Sequence, residues 1–287
     1  CIRDRLLSTL RREEIDPWLT TREREQTYWA NQDMRWSYNE RRYKKLLQYH
    51  PGGLLLYLYG NSGQVEHLFD LFRKVFEAIA EQGVNAEERG YLSGIVRRVD
   101  EQYYTDEWAK CCLLLYKKEL LQKPPLCLRR LFFRHPDKMK MFLEENPSRS
   151  FDVENDYYLP EEAYQDKRAF DCWAECLYEE FPEILGYIMG KSCNGKDGAF
   201  PHEFIREFLE KQQNEKLTKA VFYGKFNSRG ARIVQDGRTL YEQAKCYRAQ
   251  ARELRLKFPQ SAKILLQLAK WMESEAQHDQ LEAEIVP

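Results

Sequence analysis

The sequence lacks the features that would place it in a membrane or mark a common metal site. It has no run of about eighteen apolar residues, and its densest apolar run, residues 54–59, is far too short for a transmembrane helix. It has no Cys-x-x-Cys motif, and Cys172-x-x-x-Cys176 has no second cysteine or histidine pair at zinc spacing. We therefore expect no membrane span, no metal site and no cofactor.

An excess of one charge is also lacking. The chain has 45 basic and 46 acidic residues and a net charge of −1, so no overall field would attract nucleic acid or acidic lipid. Glycine, threonine and valine are sparse, whereas leucine, glutamate, lysine, arginine and glutamine are abundant, which favours helix over sheet. With 43% apolar and 32% charged residues, the composition is typical of a folded chain.

Eight cysteines indicate the cellular compartment. Most of them lie inside apolar helical patterns, which predicts small buried thiols rather than disulfides or metal ligands. No secretory signal pattern is present, so we expect a reducing, cytoplasmic environment. The sequence begins at Cys1 rather than Met, from which we expect the C-terminal part of a longer protein.

The clearest structural signal is a helical hairpin over residues 237–279. Two apolar stripes with helical spacing are separated by Pro259, which ends the first helix. Helices joined by so short a turn fold back as an antiparallel pair. The stripes consist of Leu240, Ala244, Tyr247, Ala251, Leu254 and Phe258, and then of Ala262, Leu265, Leu266, Ala269, Met272 and Ala276.

The rest of the chain shows the same kind of pattern. The sequence predicts an all-α fold of about ten to twelve helices, arranged as an irregular array of antiparallel αα-hairpins that is either solenoid-like or a compact bundle. A polar stretch at 146–160 is either a linker between a region 1–145 and a region 161–287, or a loop within one domain. Residues 194–198 are a plain turn by composition. Helices are predicted at 20–49, 65–79, 86–100, 105–121 with Thr105 as its cap, 126–134, 137–145, 161–180, 183–191, 201–213 and 214–226. The apolar run at 54–59 is either a buried strand or a short helix, and the helices on both sides favour the helix.

One short motif offers a catalytic hypothesis. Arg130 stands five residues before His135, a spacing that resembles the active-site motif of the all-helical HEPN ribonucleases. The resemblance implies a histidine that acts as acid and base and an arginine that steadies a phosphate. The alternative is structural, because His135 precedes a proline at a helix boundary.

A second hypothesis concerns nucleic acid. Basic and aromatic side chains are interleaved between Trp29 and Lys45. One face of this helix could therefore neutralise phosphates with its basic residues and stack bases on its aromatic rings. The alternative is that Trp29, Trp36 and Tyr43, spaced by sevens, are core and the basic residues are solvated. The binding candidates are Arg35, Trp36, Arg41, Arg42, Lys44 and Lys45.

The last eighty residues carry a further resemblance. Phe200-Pro201-His202-Glu203-x-x-Arg206, the turn at 227–230 and the hairpin together resemble the C-terminal helical end of some large bacterial multidomain proteins, including ones that act in defence against phage. The resemblance covers residues 199–280 and implies no defined activity. The first functional hypothesis is therefore a non-catalytic protein-interaction or scaffold region that binds a protein partner or the remainder of a larger chain; the alternatives are a nucleic-acid-binding module and a HEPN-like ribonuclease.

Overall fold

The computed structural model describes residues 47–49, 51–147, 153, 156–228 and 237–285. Within these ranges the chain forms helices and turns and no strand, so the all-α prediction is confirmed. Of the predicted helix 20–49, only residues 47–49 are described, and these are helical. The α-helices are α1 (Gly53–Gly60), α2 (Val65–Gln82), α3 (Ala86–Asp100), α4 (Asp106–Lys117), α5 (Leu126–Arg134), α6 (Pro136–Glu145), α7 (Lys167–Tyr178), α8 (Pro182–Gly190), α9 (Glu203–Gln212), α10 (Glu215–Asn227), α11 (Arg238–Leu254) and α12 (Pro259–Ile285), with 3-10 turns at Ser62–Gln64 and Glu161–Tyr164.

Capping side chains explain where several helices begin. The Thr105 hydroxyl accepts a hydrogen bond from the Trp108 N–H at 3.1 Å and starts α4. Before α3, Asn85 and Glu88 each accept the other's backbone N–H, at 3.0 and 2.9 Å, in a capping box. The apolar run at 54–59 lies in α1, so the choice of helix over strand is confirmed.

The predicted single helix at 161–180 is wrong in its first turns. The chain forms a 3-10 turn at Glu161–Tyr164 and then begins α7 at Lys167. Asp166 explains the break, because its Oδ1 accepts hydrogen bonds from the N–H groups of Arg168 and Ala169 at 2.9 and 3.1 Å. A carboxylate in this position caps a new helix rather than continuing an old one.

Contacts divide the chain into two compact units, Cys1–Leu128 and Arg129–Pro287. In the first unit, the rings of Phe72 and Phe76 on α2 pack on Trp108 of α4 at centroid distances of 5.9 and 5.5 Å. Asp100, the last residue of α3, is buried beside them. Its Oδ1 accepts from the Trp108 indole N–H at 2.9 Å, and its Oδ2 accepts from the Cys127 N–H at 3.2 Å.

The second unit contains the predicted hairpin, with α11 and α12 packed along an apolar seam. Arg248 and Glu273 connect the two helices by paired hydrogen bonds of 2.7 and 2.5 Å. Glu210 of α9 accepts from the N–H of Gln260 at 2.7 Å and so caps the start of α12. The hairpin is therefore fixed to the rest of its unit by a side chain as well as by apolar packing.

The region expected to be a linker contains buried residues. Val153 and Tyr157 are fully buried, and the Tyr157 hydroxyl donates to the Arg129 carbonyl at 2.9 Å. Both residues belong to the second unit. Whether a domain boundary falls at 146–160 stays a prediction.

The cysteine prediction is wrong for part of the chain. Among the seven described cysteines, only Cys111, Cys112 and Cys127 are buried. Cys172 and Cys246 fall between the buried positions of α7 and α11, so helical periodicity turns them outward; they are exposed, as is Cys193.

None of the helices described is both long and apolar enough to cross a membrane.

Candidate functional site

The sequence-predicted nucleic-acid residues cannot be placed. Arg35, Trp36, Arg41, Arg42, Lys44 and Lys45 all lie outside the described residues, so this hypothesis stays a prediction.

The ribonuclease candidates lie where α5 meets α6. The Arg130 Nε is 3.4 Å from one carboxylate oxygen of Glu162, and the Arg134 Nε is 3.0 Å from the other. His135 is the N-cap residue of α6. A phosphate at Arg130 would therefore have to compete with a carboxylate, and the ribonuclease hypothesis also stays a prediction.

A buried polar cluster forms around Arg206 on α9. The side chain of Arg206 is only 2% exposed, and its two terminal nitrogens donate to the two oxygens of Asp197 at 2.7 and 2.8 Å. Its guanidinium carbon lies 5.2 Å from the ring centroid of Phe258, at the turn of the hairpin. Arg206 thus connects the turn at 194–198 to the hairpin, although its Nε is buried without a hydrogen-bond partner.

The turn that supplies Asp197 is held from both sides. Within it, the Gly198 N–H donates to the Gly195 carbonyl, and Asp197 accepts from the Ala199 N–H at 3.1 Å. From α11, the Gln250 side chain donates to the Gly198 carbonyl at 3.3 Å. The guanidinium holds the pKa of Asp197 below its ordinary value, so this carboxylate is charged at neutral pH.

His202 fills a structural position in the cluster. It is 4% exposed, and its ring lies 4.8 Å from the rings of both Tyr164 and Phe204. Its Nδ1 accepts from the Phe204 N–H at 3.3 Å, so we assign the proton to Nε2, which is 3.4 Å from a Glu203 oxygen. Burial lowers the pKa of His202 and keeps it neutral. The Nδ1 lone pair of this histidine is therefore already used by a backbone N–H, and its Nε2 lies against a carboxylate.

Glu203 and Cys193 complete the cluster. Burial raises the pKa of Glu203, but backbone N–H donors, including that of Lys196 at 3.1 Å, outweigh burial and leave the pKa below its ordinary value. For Cys193, desolvation raises the pKa and the nearby Glu203 raises it further, so this thiol stays protonated. The cluster contains acidic, basic and thiol groups, yet its hydrogen bonds and ion pairs connect them mainly to one another.

A second feature lies on α8, α10 and α12. Five aromatic rings make contact in sequence across the three helices, and we call them the aromatic ladder. Tyr223 is 48% exposed, and the other four are half-buried. The ladder consists of Tyr187 of α8, stacked on Tyr223 at 6.4 Å; Tyr223, Phe222 and Phe226 of α10, with centroids 5.3 and 6.3 Å apart; and Trp271 of α12, 4.5 Å from Phe226.

Two glycines allow the helices that carry the ladder to pack closely. A β-carbon on Gly190 of α8 would collide with the backbone of Val221 and Gly224 on α10. A β-carbon on Gly224 would in turn collide with the backbone of Tyr187. The two helices therefore contact each other backbone to backbone. Gly186 lies against residues 217–221 of α10 and Gly190 lies against residues 221–225, so the two helices run parallel. This parallel pair is an addition to the hairpins that the sequence predicts.

Charged residues of both signs lie on the helices that carry the ladder. Lys219 lies one turn before Tyr223 on the same side of α10 and is 62% exposed, with Glu215 at 3.1 Å. Lys191 follows Tyr187 by one turn, and its ammonium lies 5.0 Å from the ring of Tyr158. Two more exposed lysines lie on these helices at positions 216 and 270, and the acidic residues on the same helices include Glu183, Glu215, Glu273 and Glu275.

No protein-family model matches the chain, and no curated protein or solved structure is significantly similar to it. No group of His, Cys, Asp and Glu side chains suited to a metal ion occurs in the part of the chain that the structure describes. Sequence reasoning noted residues 200–206 and 194–198 separately but did not join them. It also missed the ladder, although the spacing of Lys219, Phe222, Tyr223 and Phe226 is that of one helix face.

Proposed function

We propose that this chain is a non-catalytic helical region that binds another protein, as an interaction or scaffold module working in the cytoplasm. The observation that carries the proposal is the aromatic ladder, because partly exposed tyrosine and tryptophan rings on rigid helices are typical of binding hot spots. The backbone contact between α8 and α10 fixes the spacing of Tyr187 and Tyr223 before any partner arrives, so little ordering would be needed on binding.

The polar cluster supports the same proposal. An acid–base or nucleophilic site needs a group with an available lone pair or a lowered thiol pKa. The Nδ1 lone pair of His202 accepts a backbone N–H, and the pKa of Cys193 is raised. In this role, Arg206 and its partners hold the turn and the hairpin together, as a scaffold requires. The resemblance of residues 199–280 to the C-terminal helical ends of bacterial multidomain proteins, including defence proteins, fits such a module.

The proposal is tested by selection from a displayed library of random peptides against the immobilised chain. We expect a set of peptides that bind the purified chain in solution, compete with one another and lose binding when the chain is unfolded in urea. The matching experiment uses labelled single-stranded and double-stranded RNA and DNA across a salt series. If no peptide survives selection, or if the chain instead binds nucleic acid with strong salt dependence, the protein-interaction proposal is overturned.

A further inference from the structure

The Cys172-x-x-x-Cys176 motif, which lacks the further ligands that zinc requires, lies on α7. We propose that these two thiols form a binding site for an organic arsenic(III) compound, in which arsenic bonds to both sulfurs and keeps its third bond to carbon. The site goes beyond the proposed protein-binding role and does not depend on it.

The two thiols are presented together to solvent. Residues four apart are neighbours on a helix surface, with β-carbons about 5–6 Å apart. Cys172 is exposed and Cys176 is partly exposed, whereas Trp173 and Leu177, the residues that follow the two cysteines, are buried. The pair therefore lies on one side of α7, beside the face that packs into the core.

The spacing suits an inserted atom better than a direct disulfide. A disulfide needs β-carbons about 3.5–4.5 Å apart, so closing one between these positions would distort the helix. An arsenic atom between the sulfurs lengthens the bridge by one atom and lets α7 keep its geometry. A zinc ion would need about four ligands, and the part of the chain that the structure describes contains no group of three or more side chains suited to a metal.

The surroundings of Cys176 favour the protonated thiol. Burial raises its pKa, and the charges of Asp137 and Glu180 raise it further, although Lys140 opposes them. Alkylation, disulfide exchange and metal binding all use the thiolate, so they are disfavoured at this sulfur. An arsenic(III) adduct carries no charge on sulfur, and its stability does not require an ionised thiol.

The reaction is a condensation and uses no oxidant. An organic arsenous acid, RAs(OH)2, loses both hydroxyl groups, and each leaves as water with the proton of one thiol. Two As–O and two S–H bonds break, two As–S and two O–H bonds form, and arsenic stays trivalent. The second As–S bond closes within the chain, so the pair holds the compound more tightly than a single thiol does.

Other cysteines supply the comparison. Cys193 and Cys246 are exposed, and neither has a second cysteine one helical turn away in sequence, so they represent single thiols. The thiols of Cys112 and Cys127 hydrogen bond to each other, but these residues are only 0% and 1% exposed. An arsenical reaches that buried pair only after the first unit opens.

The probe is phenylarsine oxide, added to the reduced chain with an excess of mercaptoethanol that suppresses attachment to single thiols. We expect one equivalent to bind, detected by intact mass and by the loss of two titratable thiols, and ethanedithiol should remove it. Cys172→Ser and Cys176→Ser should each weaken binding about a hundredfold or more. The matched variants Cys193→Ser and Cys246→Ser should bind like the parent.

A second readout separates binding from a structural effect of the substitutions. The arsenical bridges one turn of α7 in its folded geometry, so it should raise the melting temperature of the parent chain. It should not raise that of Cys172→Ser. Without the probe, Cys172→Ser should match the parent in urea unfolding, because the side chain that it changes is exposed.

Three results would overturn the inference. In the first, the parent binds no phenylarsine oxide in the presence of excess mercaptoethanol. In the second, Cys172→Ser or Cys176→Ser binds as tightly as the parent. In the third, peptide mapping of the folded chain places the adduct on Cys112 and Cys127. None of these results affects peptide selection against the chain, so the proposed function is judged separately.

Discussion

Among the described residues, each unit contains a buried charged side chain, Asp100 in the first and Arg206 in the second, and the two are stabilised in opposite ways. Asp100 in the first unit receives hydrogen bonds from two neutral donors, an indole N–H and a backbone N–H at the start of α5. Arg206 in the second unit faces a full negative charge on Asp197. The first arrangement depends on donors that also need a partner, and the second depends on a carboxylate that is 52% exposed to water.

This difference predicts which substitutions at the two sites should destabilise the fold most. A buried cation that loses its carboxylate partner stays charged in a low-dielectric site, whereas an exposed carboxylate that loses its cation is hydrated. Removal of the Asp100 carboxylate is costly for a different reason, because it leaves two buried N–H donors without an acceptor. Three predictions sharpen this comparison.

The largest effect is expected for Asp197→Ala. It leaves the guanidinium of Arg206 buried and without its bidentate partner, at a cost of about 3–5 kcal/mol in the free energy of unfolding. Glu203, 4.0 Å from the nearer nitrogen, should hold the loss towards the lower end. Urea unfolding followed by circular dichroism measures it.

The control for this prediction is Arg206→Met, which removes the charge that needed the partner. It should cost less than Asp197→Ala, since Asp197 can turn to water. A larger loss for Arg206→Met would mean that packing against Phe258, rather than the ion pair, is the main contribution of Arg206.

A smaller effect is expected for Asp100→Ala. The indole N–H of Trp108 and the N–H of Cys127 both lose their acceptor, for a total of about 2–3 kcal/mol. Asp100→Asn retains one acceptor oxygen and should lose roughly half as much. Tryptophan fluorescence during urea unfolding reports both variants, and equal losses would contradict the idea that the two oxygens act separately.

The smallest effect concerns pH. Burial lowers the pKa of His202 in the folded protein below the ordinary value of 6.5, so the unfolded chain binds a proton first as the pH falls. The stability that neutral His202 provides is present above pH 6.5 and is lost as the pH falls below it. His202→Asn keeps a helix-capping oxygen and removes this titration.

The measurement is the difference in unfolding free energy between the parent and His202→Asn from pH 7.5 down to about 5, in which the parent should lose stability relative to the variant as the pH falls. Glu203 and Asp197 favour protonation of this histidine, whereas Lys196 and Arg206 oppose it. A difference that stays constant across this range would show that His202 does not titrate differently on folding.

Local signals in the sequence predicted much of the described fold. The helices at 86–100 and 126–134 were placed to the residue, and Thr105 was identified as a cap, because caps, prolines and apolar spacing act over a few residues. The 3-10 turn before α7 was missed, because the apolar pattern continues through Asp166 while the backbone does not.

The polar cluster and the ladder could not be derived in the same way. Arg206 occupies what reads as an ordinary polar position of α9, and only tertiary packing brings Asp197, nine residues earlier, to its end. The ladder likewise needs Tyr187, Tyr223 and Trp271 from three helices. Pairing between distant segments leaves no local signal in a single sequence.

The contact between α8 and α10 has a consequence for how this sequence can vary. At Gly190 and Gly224 the neighbouring atoms belong to backbone, which cannot rotate out of the way as a side chain can. A single methyl group at either position would wedge the helices apart and displace Tyr187 from Tyr223. A saturation-mutagenesis survey should therefore find that no replacement is tolerated at these two positions, whereas the exposed residues beside them accept many substitutions.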